Sequence, residues 1–435
     1  MLDIKFIREN ADIVKKACKD KNVTADVDEL LKADEERRGL QTKLEELNRA
    51  RNEAAKAKDI EKGKALKGES AALEAALAAC DGIIAPLMMK IPNVPSSDTP
   101  VGPDESGNVV IRMVGTPPTF DFKIRDHVEL GELHGIIDNE MGSKVAGARF
   151  TYLKGDLVLL QQAIISYVTS ILTDRGALEA IISEAGLEGV PATPFVPVVP
   201  PLMIKPDVYQ RMARLEPREE RYHIPSDDVY LIGSAEHTLG PIHMEQTLKE
   251  NDMPLRYFAA TPAFRREAGS YGKDTKGILR MHQFDKIEME SFSLPEQSLS
   301  EQDLFVALQE HFLRSFKIPY QVVQVCTGDM GGPDARQIDI ESWMPGQMKY
   351  RETHTSDLMT DYQTRRLGTR VRLNAGGNVF AHTNDATAIA LGRLLIAFME
   401  NHQRADGSIA IPEVLWPFML GRTVIGAPKS TEAAA

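Results

Sequence analysis

Cysteine is nearly absent from this chain: three occur in 435 residues, at positions 18, 80 and 326, far apart and in no Cys-x-x-Cys arrangement. That excludes a disulfide framework and a cysteine zinc site, so no zinc is expected and Cys18, Cys80 and Cys326 read as free thiols, buried or half-buried. No apolar run approaches the roughly 20 residues of a membrane span, and the N-terminus, acidic by Asp3, lacks a signal-peptide pattern. A cytoplasmic protein with no membrane partner is the expectation. Two nucleotide-binding signatures are missing as well. GSYGKDT, at 269–275, lacks the four residues between glycine and Gly-Lys of a Walker loop and opens no helix. No Gly-x-Gly-x-x-Gly follows a strand, so a dinucleotide-binding fold has no support.

Negative charge is in surplus: 63 acidic against 51 basic side chains leave a formal charge of -12. Phosphate contacts need local positive charge, and no DNA partner is expected. The distribution is uneven, however. Between Lys43 and Lys67 there are eight basic and five acidic residues, away from the acidic start at Asp26, Asp28, Glu29, Asp34, Glu35 and Glu36. The length allows two to three domains with an ample core.

Residues 28 to about 58 carry apolar or small side chains at helical spacing (Leu30, Leu31, Leu40, Leu44, Leu47, Ala50, Ala54), and a second such run covers about 62–89. Each would extend roughly 40 Å at 1.5 Å per residue, too long and too polar outside its seam for a core helix. The pair reads as an antiparallel helical hairpin turning near Asp59–Gly63, with a generic coiled coil as the plain alternative. IPNVPSSDTPVGP, with four prolines in thirteen residues, stops helix and marks a linker. Beyond residue 110 short apolar or alternating segments are broken by Gly and Pro, with helices expected near 156–174, 236–250, 296–316 and 386–402. That mixture indicates an α+β fold, a mixed antiparallel sheet flanked by helices. TPFVPVVPPLM, at 193–203, is too rich in proline for a central strand. The division expected is 1–100 for an N-terminal domain with its arm, 101–425 for the sheet domain, and 426–435 for a disordered tail.

Phe264 to Met289 carries the most chemistry. Taken as a strand from Ile278, it places Leu279, Met281, Ile287 and Met289 on one face and Arg280, Phe284 and Glu288 on the other, while Arg265 and Glu267 share a side of the preceding segment. Between them AGSYGKDTKG suits a mobile turn joining two antiparallel strands. A sheet face with such unlike charges costs desolvation unless something fills it, and a nucleotide plus a small zwitterion would match each group. From spacing alone a solvated hairpin with ordinary surface ion pairs is equally open.

This segment resembles motif 2 of the class II aminoacyl-tRNA synthetases, in the form found in seryl-tRNA synthetases. MLDIKFIREN at 1–10, IPNVP at 91–95, RFTYLKGD at 149–156, YRE at 350–352, TDYQTRR at 360–366, HT at 382–383 and GR at 392–393 resemble the same family in its order. The likeness therefore spans almost the whole chain. It implies a class II catalytic sheet, a homodimer formed through 193–203 as motif 1, and an N-terminal hairpin that reaches the long variable arm of serine tRNA. The implied reaction is ATP-driven activation of serine to seryl-adenylate, then transfer to the 3′ end of serine tRNA, with selenocysteine tRNA left open as a second acceptor.

The resemblance also assigns roles. Arg265 would hold the α-phosphate and the serine carboxylate, Phe284 would lie under adenine with Arg393 on its other side, Glu267 would face the base or ribose, and Arg280 the γ-phosphate. Glu352 and Thr355 are similar to the family's magnesium ligands. For serine, GSAEH at 233–237 places Ser234 and Glu236, the latter toward the ammonium, and Glu288 would accept from the hydroxyl. Where many members read HTLNGSGLA this chain has HTNDATAIA, with Asp385 for Asn and Thr387 for Ser; without the family, Thr387 reads only as a helix start. His237, His282 and His354 are given no role. The arm between Asn52 and Pro92 is shorter than the family's usual one by several turns. Two rivals remain: an amino acid ligase charging a carrier protein, expected to lack the arm, and a silent tRNA-binding scaffold, expected to have lost Arg265, Glu352 or Arg393.

Overall fold

The computed structural model describes residues 1–268 and 276–426. Most of the turn expected at 268–277, and the tail expected to be disordered apart from Gly426, lie outside the described residues.

Helices α1 (Val27–Lys56) and α2 (Ile60–Lys90) form the antiparallel hairpin. Asp26 and Asp59 each cap a helix start, accepting from the backbone N–H of Glu29 and Lys62, which satisfies donors no helical carbonyl can reach. The turn falls at residues 57–59, with Lys58 at a positive φ of 57°, just ahead of the expected position. Arg37 pairs with Asp81 at 2.6 Å, and Arg51 donates to Ser70 at 3.3 Å across the seam. One expectation is corrected: by length and composition α2 could cross a membrane, with a mean hydropathy of 1.6 in its most apolar window. The cause is alanine (Ala71, Ala72, Ala75, Ala76, Ala78, Ala79), which raises hydropathy with little bulk. The same stretch carries Glu74 and Asp81 and packs along α1.

The larger part of the chain is built on eight strands: β1 (Val109–Val114), β2 (Val196–Pro197), β3 (Leu255–Phe264), β4 (Gln283–Ser293), β5 (Tyr320–Gln324), β6 (Arg336–Met344), β7 (Lys349–Thr360) and β8 (His382–Ala390). Their order is β1-β5-β6-β7-β8-β4-β3-β2, antiparallel throughout except for β2 beside β3. The proline-dense segment thus takes the sheet edge, where a missing N–H does no harm. Helices α3 (Asp156–Leu172), α4 (Ser298–Ser315) and α5 (Leu391–Asn401) contribute to the main hydrophobic core with the sheet. Gln309 of α4 donates to the carbonyls of Thr355 (2.7 Å) and Thr387 (2.8 Å), tying β7 to β8 from behind.

Three local expectations are corrected. The strand does not start at Ile278; residues 276–282 are irregular and β4 begins at Gln283. The helix expected at 236–250 is one turn, Glu236–Leu239, because Gly240 and Pro241 end it and Thr247–Lys249 is extended. The helix expected from 386 starts at Leu391, since 386–390 complete β8; Thr387 is a strand residue and starts no helix. The segment 91–103 is irregular as expected, but it is no free linker. Asn93 is buried and donates to the carbonyls of Pro333 and Met359, each at 2.9 Å. All three cysteines are free and buried.

Candidate active site

Two bulges decide which side chains meet. Thr353 is the extra residue between the Ile340–His354 and Glu341–Glu352 pairs of β6 and β7. A regular strand would send Glu352 and Thr355, three apart, to opposite faces; the bulge restores them to one. Ala388 plays the same part in β8, so that Glu288 of β4 stands directly opposite Thr387.

The result is a cavity of about 300 Å³ whose wall includes Arg265, Glu267, Arg280, Phe284, Glu352, Thr355, Arg393, Glu236 and Thr387. Nine of the twelve expected site residues therefore converge. The other three lie just beneath. Ser234 is fully buried, and its Oγ accepts from the Glu236 N–H at 3.4 Å, shaping the turn that presents Glu236. Glu288 is covered by Thr387, whose hydroxyl donates to it at 2.9 Å, and by the Lys286 ammonium. Asp385 is buried against Arg214 at 3.2 Å.

At the outer end Arg265 continues directly from β3. Its Nε donates to the Gly233 carbonyl at 3.1 Å and its guanidinium lies 5.5 Å from the Phe284 ring centre. Arg265 thus faces that ring. Arg393, in the first turn of α5, pairs with Glu352 Oε1 at 3.0 Å and with the Glu352 carbonyl at 2.9 Å. Arg280 pairs with Glu267 at 2.8 Å. His282 is structural: its Nδ1 lies 3.0 Å from the Arg265 carbonyl, and the backbones of the two residues are hydrogen-bonded.

Across from Glu352 and Thr355, Gln337 donates to Asp339 at 3.0 Å and to the Thr355 hydroxyl at 3.4 Å. Burial, with Glu352 nearby, pushes the Asp339 carboxyl up to about 8. The described residues contain no cluster of three or more His, Cys, Asp or Glu placed to hold a metal.

At the inner end Glu236 is held on two sides. Its Oε1 lies 3.1 Å from Arg214 Nε and 3.2 Å from His237 Nε2. The Gly233 N–H donates to His237 Nδ1 at 3.1 Å, which makes Nδ1 the acceptor and leaves the proton on Nε2, facing the carboxylate. Burial pulls the imidazole down to about 4, so it stays neutral. Burial opposes ionisation of Glu236 too, but Arg214 and His237 outweigh it and hold the carboxyl well below its usual range. His354 is likewise a buried structural histidine, pulled down to about 3 by desolvation.

Sequence reasoning missed Lys286, Arg214, Asp357 and Asp334, all in the cavity wall. Lys286 was legible, because it shares strand parity with Phe284 and Glu288. Asp357 shares parity with Thr355 in the same way. Arg214 and Asp334 lie outside regular strands, where no period flags them.

Comparison with known proteins follows the same division. Residues 221–402 match the tRNA synthetase class II core domain (G, H, P, S and T), and residues 1–95 match the seryl-tRNA synthetase N-terminal domain. The serine--tRNA ligase of Rubrobacter xylanophilus is 39% identical, covering 98% of this chain and 99% of that protein; that of Treponema denticola is 36% identical over 96% and 98%. The crystal structure of seryl-tRNA synthetase from Pyrococcus horikoshii complexed with ATP superposes with a TM-score of 0.87 at 34% identity, covering 98% of this chain and 99% of that one. The cytoplasmic serine-tRNA ligase of Naegleria fowleri in complex with AMP gives 0.85 at 28% identity, over 98% of each chain. With both domains matched, near-complete coverage at 39% identity and the motif residues gathered on one cavity, the chain belongs to the seryl-tRNA synthetase family of class II aminoacyl-tRNA synthetases.

Proposed function

We propose that this protein activates serine with ATP to seryl-adenylate and then transfers the seryl group to the 3′-terminal ribose of serine tRNA, as a cytoplasmic homodimer. The observation that carries this reading is the layout of the cavity: the Phe284 ring, Arg280 and Arg393, paired with Glu267 and Glu352, at one end, and the Glu236 carboxylate and Thr387 hydroxyl, with Arg214 and Lys286 beside them, at the other. Arg265 stands between them, placed to hold the α-phosphate and the substrate carboxylate in one planar bidentate grip. Phe284 offers a face to adenine, and Glu267 and Arg280, which pair with each other at 2.8 Å, separate to meet the base side and the γ-phosphate. Glu236 accepts the ammonium, and Glu288 with Thr387 meets the serine hydroxyl. An amino acid lacking that hydroxyl leaves a buried carboxylate unpaired, which is the basis for rejecting alanine.

The donor chemistry suits Mg2+. The Glu352 carboxylate and Thr355 hydroxyl are hard oxygen donors on one face, and the Asp339 carboxyl beside them, raised first by burial and then by Glu352, is a further oxygen that a cation would ionise. Two protein oxygens leave the remaining positions to phosphates and water. When bound, Mg2+ neutralises triphosphate charge and fixes its geometry. The activation step needs no protein nucleophile, since the serine carboxylate itself attacks the α-phosphorus in line and pyrophosphate leaves. His237, His282 and His354 all have structural partners, so no histidine is assigned as a general base.

The dimer surface is supported by the β2 edge, where Val196 is 52% and Val199 100% exposed. The hairpin is the surface for the tRNA variable arm, with Arg49, Arg51, Lys56, Lys58, Lys62 and Lys64 near its turn. Its presence disfavours a carrier-protein ligase, and the convergence of Arg265, Glu352 and Arg393 disfavours a silent scaffold. Serine-dependent ATP–pyrophosphate exchange, compared with threonine, alanine and glycine, tests the reading. Exchange with serine alone is expected; no exchange with any amino acid would transfer support to the scaffold.

A further inference from the structure

The floor of the amino acid end carries more negative charge than a single ammonium requires. Glu290 pairs with Asp385 across β4 and β8, and Asp385 pairs with Asp357 across β8 and β7, so three acids form one row over three neighbouring strands. All three are buried, at 0%, 1% and 6% exposure. Like charges directly opposite on a sheet repel, and burial magnifies the cost. Asp334 and Glu236 reach the same point from outside the sheet. Arg214 stands at the centre: Nη2 lies 3.2 Å from Asp385, 3.3 Å from Asp334 and 3.4 Å from Asp357, while Nε lies 3.1 Å from Glu236. Glu290, which Arg214 does not contact, has both carboxyl oxygens without a hydrogen-bond partner among the described residues. Burial and the neighbouring Asp385 push its carboxyl well above the usual range, so the row sheds charge by protonation where the guanidinium does not reach.

Asp385, like Thr387, is also a position at which the 382–390 segment departs from the family pattern it resembles. We propose that Arg214 and Asp385 form a coupled pair in which Arg214 offsets the extra carboxylate and, by the same guanidinium, positions Glu236 for the substrate ammonium. Arg214 is thus a positioning residue: it acts through Glu236, and one planar group spans both carboxylates as a lysine could not. Remove the guanidinium and Glu236 is left against Asp385, Asp334 and Asp357. Its carboxylate then either protonates or swings away, and the ammonium loses its acceptor. Remove the Asp385 charge as well, and the repulsion that displaces Glu236 falls.

The inference rests on the serine-activating reading, and pyrophosphate exchange by the full-length protein separates the two: absence of serine-dependent exchange in the unsubstituted protein defeats the reading, whereas the variants test only the pair. Arg214→Gln is expected to raise the serine KM at least tenfold while the ATP KM stays within about threefold. Adding Asp385→Asn to it is expected to recover most of that loss, and Arg214→Lys to behave like Arg214→Gln. Equal losses for serine and ATP, or a double variant no better than Arg214→Gln, overturns the proposal. If Arg214→Gln does not fold, judged by circular dichroism and a melt, the double variant decides: it carries one uncompensated acid fewer and is expected to fold and to exchange. A double variant as unfolded as the single, or folded without recovered serine affinity, also overturns it.

Discussion

The ammonium of Lys21, just past the helix Ala11–Asp20, donates to the backbone oxygen of Asp334, whose carboxylate lies 3.3 Å from Arg214 at the inner end of the cavity. The same Nζ donates to the carbonyls of Gly331 (3.0 Å) and Gly332 (3.3 Å), and the Asn93 backbone N–H donates to the Gly332 carbonyl at 2.9 Å. The domain that carries the arm therefore holds the 331–334 loop of the catalytic domain. Lys21→Met should leave the Asp334 carbonyl without its donor and take one of two donors from the Gly331 and Gly332 carbonyls, at a cost of about 1–3 kcal/mol, within the range for losing a buried charge-assisted contact. Urea unfolding gives the energy. Hydrogen exchange at 331–334 should rise in the variant, and unchanged protection there would show that the loop is held by its other contacts.

Arg265→Ala and Glu352→Ala are expected to abolish measurable pyrophosphate exchange while leaving the melting curve close to that of the unsubstituted protein. Arg265→Ala removes positive charge aimed at the triphosphate, for which losses on the order of 10²–10³ in rate are typical of a single preorganised donor, and Glu352→Ala removes an oxygen ligand proposed for Mg2+. The Glu352 side chain is 49% exposed, so its removal takes little from the core. Wild-type exchange by either variant contradicts the assignment.

The histidine behind Glu236 predicts an acid limb in stability. His237 titrates near 4 in the folded protein against an ordinary 6.5, because burial disfavours its charged form. Between those values the unfolded chain binds more protons than the folded one, so stability from this group is complete above pH 6.5 and is lost as pH falls toward 4. The gap corresponds to about 3 kcal/mol. His237→Gln, whose side-chain amide is able to face Glu236 without titrating, should flatten that limb when unfolding energies are compared between pH 7 and 4. A limb of equal depth in the variant would place the titration elsewhere.

How much of this was legible beforehand follows from where each residue sits. Phe284 and Glu288 could be read because β4 is regular and alternates, and Lys286 between them was equally readable but overlooked. Glu352 and Thr355 could not be joined by spacing, since the Thr353 bulge that brings them to one face leaves no mark in the sequence; only the family resemblance linked them. Arg214 was invisible because its partners are 22 to 171 residues away, and no local period encodes a contact of that range. The short helix at Glu236 was overextended for a similar reason: the apolar pattern continued through 250, but Gly240 and Pro241 stopped the backbone. In each case local propensity was read correctly only where tertiary packing agreed with it.

Removing the outer half of the arm separates the two half-reactions. The cavity draws its walls from β4, β6, β7, β8 and α5 and from residues 214, 236, 265, 267, 278–281, 329, 331 and 334, none of them on the hairpin. A variant lacking residues 40–75, with the helices rejoined by a short turn, keeps the base of the hairpin and the Lys21 and Asn93 contacts. Pyrophosphate exchange should therefore stay within about threefold of the full chain. Charging should fall more than tenfold in kcat/KM for serine tRNA, because the basic groups near the turn are lost and phosphate contacts supply much of nucleic-acid affinity. The salt dependence of charging should also become shallower, as fewer counterions are released on binding. Unchanged charging at every salt concentration would remove the arm from tRNA recognition in this protein and place the recognition surface on the catalytic domain.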